Sequence, residues 1–329
     1  MHSYTRWGRS LVRLGSVGLG ALICLGALDP STAAASEHSR YLKRYLVTRP
    51  AANPQIVIYG GSRSQRAEPS YLQDLTGITG FNAGASCSQP TDVLAFSSFL
   101  HARNPGQRQF PLWYLSIEVF RKRDLFFYEL LTMPDMMAQI PSEFKAGIKP
   151  RPPLSWHPPS SLKYPDGTEW RPDGSLKVSH YDLALAGGAQ RDDLVADRAQ
   201  QFVTNYNDFT RLLPNEKRVF ETTLARWNRW QWIPVILLPP YSDELLPVLK
   251  AHGWDARHRE TLAYLADLHE TYRFVVIDFS NVDAFGGNSD DLLDGIHCNT
   301  RLSRLMLKKV VEKAGAAFDP SVPYERPHR

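Results

Sequence analysis

The stretch Gln55–Ser64, QIVIYGGSRS, decides the fold. Its first six residues, QIVIYG (55–60), are β-branched and apolar, bounded by Pro54 on one side and Gly60-Gly61 on the other. A compact run of this kind reads as a strand buried on both faces, which is the habit of parallel sheets. The glycine pair permits a tight turn, so Ser62 stands just beyond the strand's carboxyl end. Ligands of parallel α/β sheets bind beyond those ends.

The same rhythm continues along the chain. TGFNAG (79–84), PLWYLSIEVF (111–120), WIPVILLPP (232–240) and RFVVIDFS (273–280) read as four more strands. Residues 91–103, 124–146, 193–230, 242–271 and 299–315 carry helical spacing, with Thr91 or Asp92 available to cap the first and Pro134 and Pro141 dividing the second. Strands alternating with helices imply a three-layer α/β fold around a central, mostly parallel sheet. Residues 147–190, rich in Pro, Ser, Trp and Tyr, are too long for an ordinary connection and are expected to be a functional insertion or lid near the active rim.

The 329 residues contain 43% hydrophobic and 22% charged side chains, ordinary for a folded globular protein. A formal charge of +4, with basic residues scattered rather than striped, gives nucleic-acid binding no support. At the N-terminus, Arg6, Arg9 and Arg13 precede an apolar run from Leu14 to Leu28 and a small-residue site at Ala33 and Ala35. Residues 1–35 therefore read as a secretory signal peptide, with an uncleaved signal anchor as the alternative. Either way, the body of the chain is expected outside the cytoplasm, periplasmic or secreted. Residues 36–53 read as a linker, 54–318 as the α/β domain and 319–329 as a tail.

The chemistry gathers at the strand ends. In LLDGIHCNT (292–300), Asp294 stands three residues before His297, with Gly295 between them. One turn of backbone would bring the carboxylate to Nδ1 and leave Nε2 as a base. Taken alone, the pair fits a capping turn before Thr300 equally well. Ser62 on the same rim turns the reading toward a nucleophile, a base and its orienter, with Ser64 a poorer rival for the nucleophile. Gly84, after the second strand, would present a bare backbone N–H, and Asn82 would stabilise its turn. No metal-ligand or nucleotide-loop motif is present, and no cofactor is expected.

IVIYGGSRS, FNAGAS and the late DGIH together resemble the SGNH, or GDSL-like, hydrolase superfamily. The resemblance covers residues 54–120 and 273–315. It implies Ser62 as nucleophile, His297 as base and Asp294 as its partner, with the backbone N–H groups of Ser62 and Gly84 forming the oxyanion hole. Gly61 stands where the family has aspartate. Glu118 stands where an asparagine would donate to the oxyanion, a loss worth about 3–4 kcal/mol of transition-state stabilisation. The outline resembles extracytoplasmic esterases and O-acyltransferases that modify envelope polysaccharides. That implies a cell-surface glycan or acyl ester as substrate, and allows a membrane-bound acyl donor protein as a partner. The alternative, which Glu118 favours, is an inactive SGNH-like protein that binds glycan or scaffolds an envelope assembly. Trp156, Trp170 and Tyr164 are candidate sugar-stacking platforms, although aromatics that pack a long loop onto the core are the commoner arrangement. Because the loops carrying Cys87 and Cys298 should meet on one rim, a disulfide between them, or at least their proximity, is also expected, with two separate buried thiols as the alternative.

Overall fold

The computed structural model describes residues 38–49, 53–121, 128–145, 151–153 and 155–324. In chain order the elements are α1 (Ser39–Val47), β1 (Ile56–Gly60), α2 (Pro69–Thr76), β2 (Gly80–Asn82), α3 (Pro90–Arg103), β3 (Phe110–Tyr114), α4 (Tyr128–Leu131) and α5 (Pro134–Ala138). They continue with β4 (Glu169–Trp170), β5 (Leu176–Val178), α6 (His180–Ala186), α7 (Arg191–Tyr206), α8 (Pro214–Arg229) and β6 (Val235–Leu238). Last come α9 (Leu245–Ala251), α10 (Trp254–Leu268), β7 (Val275–Asp278) and α11 (Thr300–Ala314).

Five strands in the order β2-β1-β3-β6-β7 form the central sheet, and every pairing in it is parallel. The α/β class expected from the alternating pattern is the one observed. The chain reverses its direction of sheet growth between β1 and β3, which opens a crevice at their carboxyl ends. Both faces of the sheet are covered. Val57, Tyr59, Trp113 and Ile236 point into one apolar cluster with Phe99 of α3, Phe220 and Trp227 of α8 and Leu265 of α10. Ile56, Ile58, Leu112 and Val235 point the other way, against Leu72 of α2 and Leu302, Met306 and Val310 of α11. This two-residue alternation, apolar on both sides, is why the strands read as unbroken hydrophobic runs.

Several boundaries differ from the sequence reading. The third strand stops at Tyr114, and Ile117–Phe120 closes into a 3-10 turn that delivers Glu118 to the interior. The 193–230 and 242–271 patterns each divide into two helices. Pro214 starts α8 because it has no N–H to give the preceding turn, and Gly253, at φ +91°, separates α9 from α10. α3 is capped from Gln89, and Asp92 returns a carboxylate to the Gln89 N–H at 2.8 Å.

Residues 36–53 are not a linker where they are described. α1 buries Leu42, Leu46 and Val47 in the core, and Arg40 pairs with Asp92 of α3 at 2.6 Å. Nine residues are too few to make a helix by propensity, so this one is held by its packing. The tail also docks in part, since Arg108 donates to Val322 O at 2.8 Å and the Tyr324 hydroxyl donates to Asn228 Oδ1. The expected signal segment, residues 1–35, lies outside the described residues. Among those described, no helix is long and apolar enough to cross a membrane.

The described part of the insertion is a brace. β4 and β5 form an antiparallel hairpin. Around it, the Leu176 N–H donates to Gln65 O at 2.7 Å, and the Asn82 N–H donates to Asp173 O at 2.8 Å. The insertion therefore touches both turns that follow β1 and β2.

If α1 belongs to the domain, Leu42→Ala should lower unfolding free energy by about 2–5 kcal/mol in a urea titration. A change below about 0.5 kcal/mol would restore the linker reading.

Candidate active site

The turn after β1 depends on Gly60. Its φ is +141°, and a Cβ there would come within 2.8 Å of Tyr114 O, so only glycine lets β1 lie this close to the end of β3. The chain then enters the 3-10 turn Ser62–Ser64, with the Ser64 N–H donating to Gly61 O at 3.1 Å. The fully buried Asn82 amide clamps this turn from the end of β2. Its Nδ2 donates to Ser64 O and Ala67 O, each at 2.8 Å. Its Oδ1 accepts the Gly84 N–H at 2.9 Å.

The base is carried by a tightly folded loop. Leu292 and Cys298 form an antiparallel bridge, and the Leu293 N–H donates to His297 O at 2.8 Å. Gly295 sits at the tip with φ +87° and gives its carbonyl to the Ser242 N–H at 2.9 Å. Arg191 of α7 ties the loop down from outside through Leu292 O and Ser289 O, each at 2.9 Å.

These two loops meet. His297 Nε2 is 2.7 Å from Ser62 Oγ, and Nδ1 is 2.9 Å from both carboxylate oxygens of Asp294. The tautomer that satisfies both contacts has Nδ1–H donating to Asp294 and Nε2 accepting from the serine hydroxyl. Asp294 is 1% exposed. Burial alone would raise its pKa, but His297 and Arg198 together hold the carboxyl well below its ordinary 3.8. For His297 burial is the largest influence and lowers its pKa below 6.5; Arg198 and Arg63 add to that, while Asp294 opposes it.

The structure thus brings Ser62, Asp294 and His297 together, and places Asn82 in the supporting position expected of it. Three other expectations need correction. Gly84 does not offer its N–H to an oxyanion, because that group is already bonded to Asn82 Oδ1. Glycine is required there for another reason: a Cβ would collide with Ser64 Oγ.

Cys87 and Cys298 do not form the expected disulfide. The Cys298 side chain turns into the apolar cluster beneath α2 and α11, where burial pushes its thiol up to about 12. Cys87 lies on the loop leading to α3, within electrostatic reach of Arg40 on the opposite face.

The aromatic residues of the insertion are anchors and not open sugar platforms. Trp156 stacks on Tyr41 with centroids 5.5 Å apart. Trp170 is buried, with the Lys43 ammonium 4.5 Å from its ring centroid. Tyr164 packs half-buried against the same cluster. An irregular segment poor in aliphatic residues uses its aromatics to hold itself to the core.

Glu118 is likewise engaged. Its Oε1 accepts from the hydroxyls of Tyr206 at 2.8 Å and Tyr241 at 2.7 Å. Beyond the carboxyl ends of β3 and β6 lies the buried Arg63, which donates to Pro240 O and sits 4.3 Å from the Tyr241 ring centroid. Arg63 was not singled out by the sequence reading, although a basic residue directly after a candidate nucleophile was a visible signal. Arg198 and Tyr181 left no such signal, because helix α7 and the 180s segment approach His297 only through the tertiary fold. Among the described residues, no group of three or more His, Cys, Asp or Glu side chains is arranged to hold a metal ion.

Compared with protein-family models and with curated proteins, the chain matches none.

Asn82→Ala would leave the Ala67 carbonyl and the Gly84 N–H without their partner and take one of two donors from the Ser64 carbonyl. Loss of stability by about 1–3 kcal/mol is expected by chemical denaturation. Wild-type stability in that variant would show that the amide is not the clamp.

Proposed function

We propose that this chain is a serine ester hydrolase or O-acyltransferase of the SGNH type, acting outside the cytoplasm on a cell-envelope glycan. The observation that carries the reading is the 2.7 Å contact between Ser62 Oγ and His297 Nε2, with Asp294 on the other ring nitrogen. A serine hydroxyl is a weak nucleophile until a base takes its proton, and this is the geometry for that transfer. The envelope glycan is supported only by the family resemblance and by the character of the N-terminal segment.

In this mechanism Ser62 Oγ attacks the ester carbonyl carbon as its proton passes to His297 Nε2. Asp294 stabilises the imidazolium and keeps the ring oriented. Collapse of the tetrahedral intermediate expels the alcohol, which takes the proton back from His297 and leaves an acyl ester on Ser62. Water, or a sugar hydroxyl in the transferase case, then attacks that ester with His297 again as base. The Ser62 N–H is the donor assigned to the oxyanion. With Gly84 committed to Asn82, the site has one backbone donor fewer than the resemblance implies. Each such donor contributes on the order of 3 kcal/mol, so modest turnover is expected.

Ser62→Ala should reduce p-nitrophenyl acetate hydrolysis by at least about 10³-fold while leaving the melting curve unchanged. Full activity in this variant would end the assignment. Because His297 is held below its ordinary value of 6.5, it stays an unprotonated base into mildly acidic solution. The acid limb of kcat/KM should therefore have its midpoint below pH 6.5. A midpoint above that value would contradict the electrostatic picture.

A further inference from the structure

Asp294 is gripped from two sides, and only one of them is His297. On its own loop, Oδ1 accepts the His297 backbone N–H at 2.9 Å and faces Nδ1. From α7, Arg198 places Nε at 2.9 Å and Nη2 at 2.6 Å from Oδ2. Arg198 Nη1 is itself fixed by Gln201 Oε1 at 2.7 Å, and Nη2 also donates to the Tyr181 hydroxyl. The Tyr181 ring stacks on the His297 imidazole, with centroids 4.8 Å apart and planes inclined by 25°. The contacts close a circuit from Asp294 to His297, Tyr181, Arg198 and back. Three separate parts of the chain contribute to it.

We propose that Arg198 is a positioning residue for the Ser62–His297–Asp294 array, fixing the orientation of the Asp294 carboxylate and, through Tyr181, bracing the imidazole against Ser62. The inference rests on the function proposed above. Its physical basis is the cost of burying a carboxylate. A group 1% exposed needs compensation for its lost water, and the imidazole is neutral in the resting state. The guanidinium supplies a permanent charge and two donors in a fixed fork. It also offsets part of the Asp294 field at His297, which favours the neutral base.

Charged and titratable groups face His297 from four elements. Asp294 lies on its own loop, Arg63 on the turn after β1, His180 on α6 and Arg198 on α7. Tyr181, also on α6, stacks on the ring. Of these, only Asp294 favours the imidazolium. Removing Arg198 leaves Asp294, still bonded to the His297 backbone N–H and ring, less opposed and should make His297 more basic.

The test compares Arg198→Gln with Arg198→Lys in the full chain. For Arg198→Gln, kcat on p-nitrophenyl acetate, corrected for folded protein by circular dichroism, should fall about 10- to 100-fold with KM within about threefold. Its acid limb should move up by about one pH unit. Arg198→Lys keeps the charge without the fork, so its limb should stay at the wild-type position while kcat recovers only in part. A merely structural residue would lower the folded fraction and leave the limb and the corrected kcat unchanged, and that result would overturn the proposal.

An NMR titration of the His297 ring, assigned by its loss in His297→Gln, gives a readout independent of turnover. A higher ring pKa in Arg198→Gln than in wild type is expected, and an equal one counts against Arg198. A raised ring pKa in a protein without Ser62-dependent turnover would remove the esterase reading and keep the role of Arg198. If Arg198→Gln does not fold, Arg198→Lys decides. Partial kcat at an unmoved limb and ring pKa supports the proposal, and full wild-type kcat overturns it.

Discussion

The site depends on one buried amide. Asn82, at the end of the short edge strand β2, donates to the carbonyls of Ser64 and Ala67 and accepts from the Gly84 N–H. Without it the Ala67 carbonyl and the Gly84 N–H would lose their partner and the Ser64 carbonyl would keep only the Ala67 N–H at 2.9 Å, and an unpaired buried group is costly. Lys43 of α1 reaches the same place, donating to Asn82 O at 2.9 Å and also to Gly174 O. The turn bearing Ser62 is thus fastened by β2, the insertion hairpin and α1. This makes sense of α1 belonging to the domain and of the insertion lying packed against the rim. Burial lowers the Lys43 ammonium from 10.5 to about 7, and Asp173 opposes that shift.

The second constraint is charge. Asp294 is almost wholly buried, and what keeps it ionised is attraction from Arg198 and His297 outweighing the desolvation that opposes it. Arg63 and Glu118 answer a similar problem beyond the carboxyl end of β3, where both are buried. Glu118 is held by two tyrosine hydroxyls, and Arg63 lies over the ring of one of them. A carboxylate in place of a neutral donor therefore sits in an interior network with partners of its own. That arrangement weakens Glu118 as a reason to regard the site as inert.

What was legible in the sequence was local. The run Ile56–Tyr59, its terminating glycines and the Asp294–His297 spacing each express a backbone requirement within a few residues, and the fold class and the serine, histidine and aspartate positions follow from them. What was not legible depended on direction. Gly84 lies against Ser64 of the turn after β1, yet nothing in its sequence neighbours says whether its N–H faces substrate or Asn82. The cysteine loops belong to the same rim, but Cys298 turns down into the core. α1 has too few residues for its pattern to announce a helix, and Trp156 and Trp170 look alike as platform or anchor until their neighbours are known. Arg198 is 96 positions from its carboxylate partner, and no periodicity reports such a pair.

The central claim is that Ser62 is an activated nucleophile, and intact-protein mass spectrometry after treatment with a fluorophosphonate measures this most directly. One phosphonyl adduct per folded chain is expected, mapped to Ser62 by peptide sequencing, and absent from Ser62→Ala and strongly slowed in His297→Ala. No adduct on the folded wild-type protein, or an adduct at another residue such as Ser64, would contradict it.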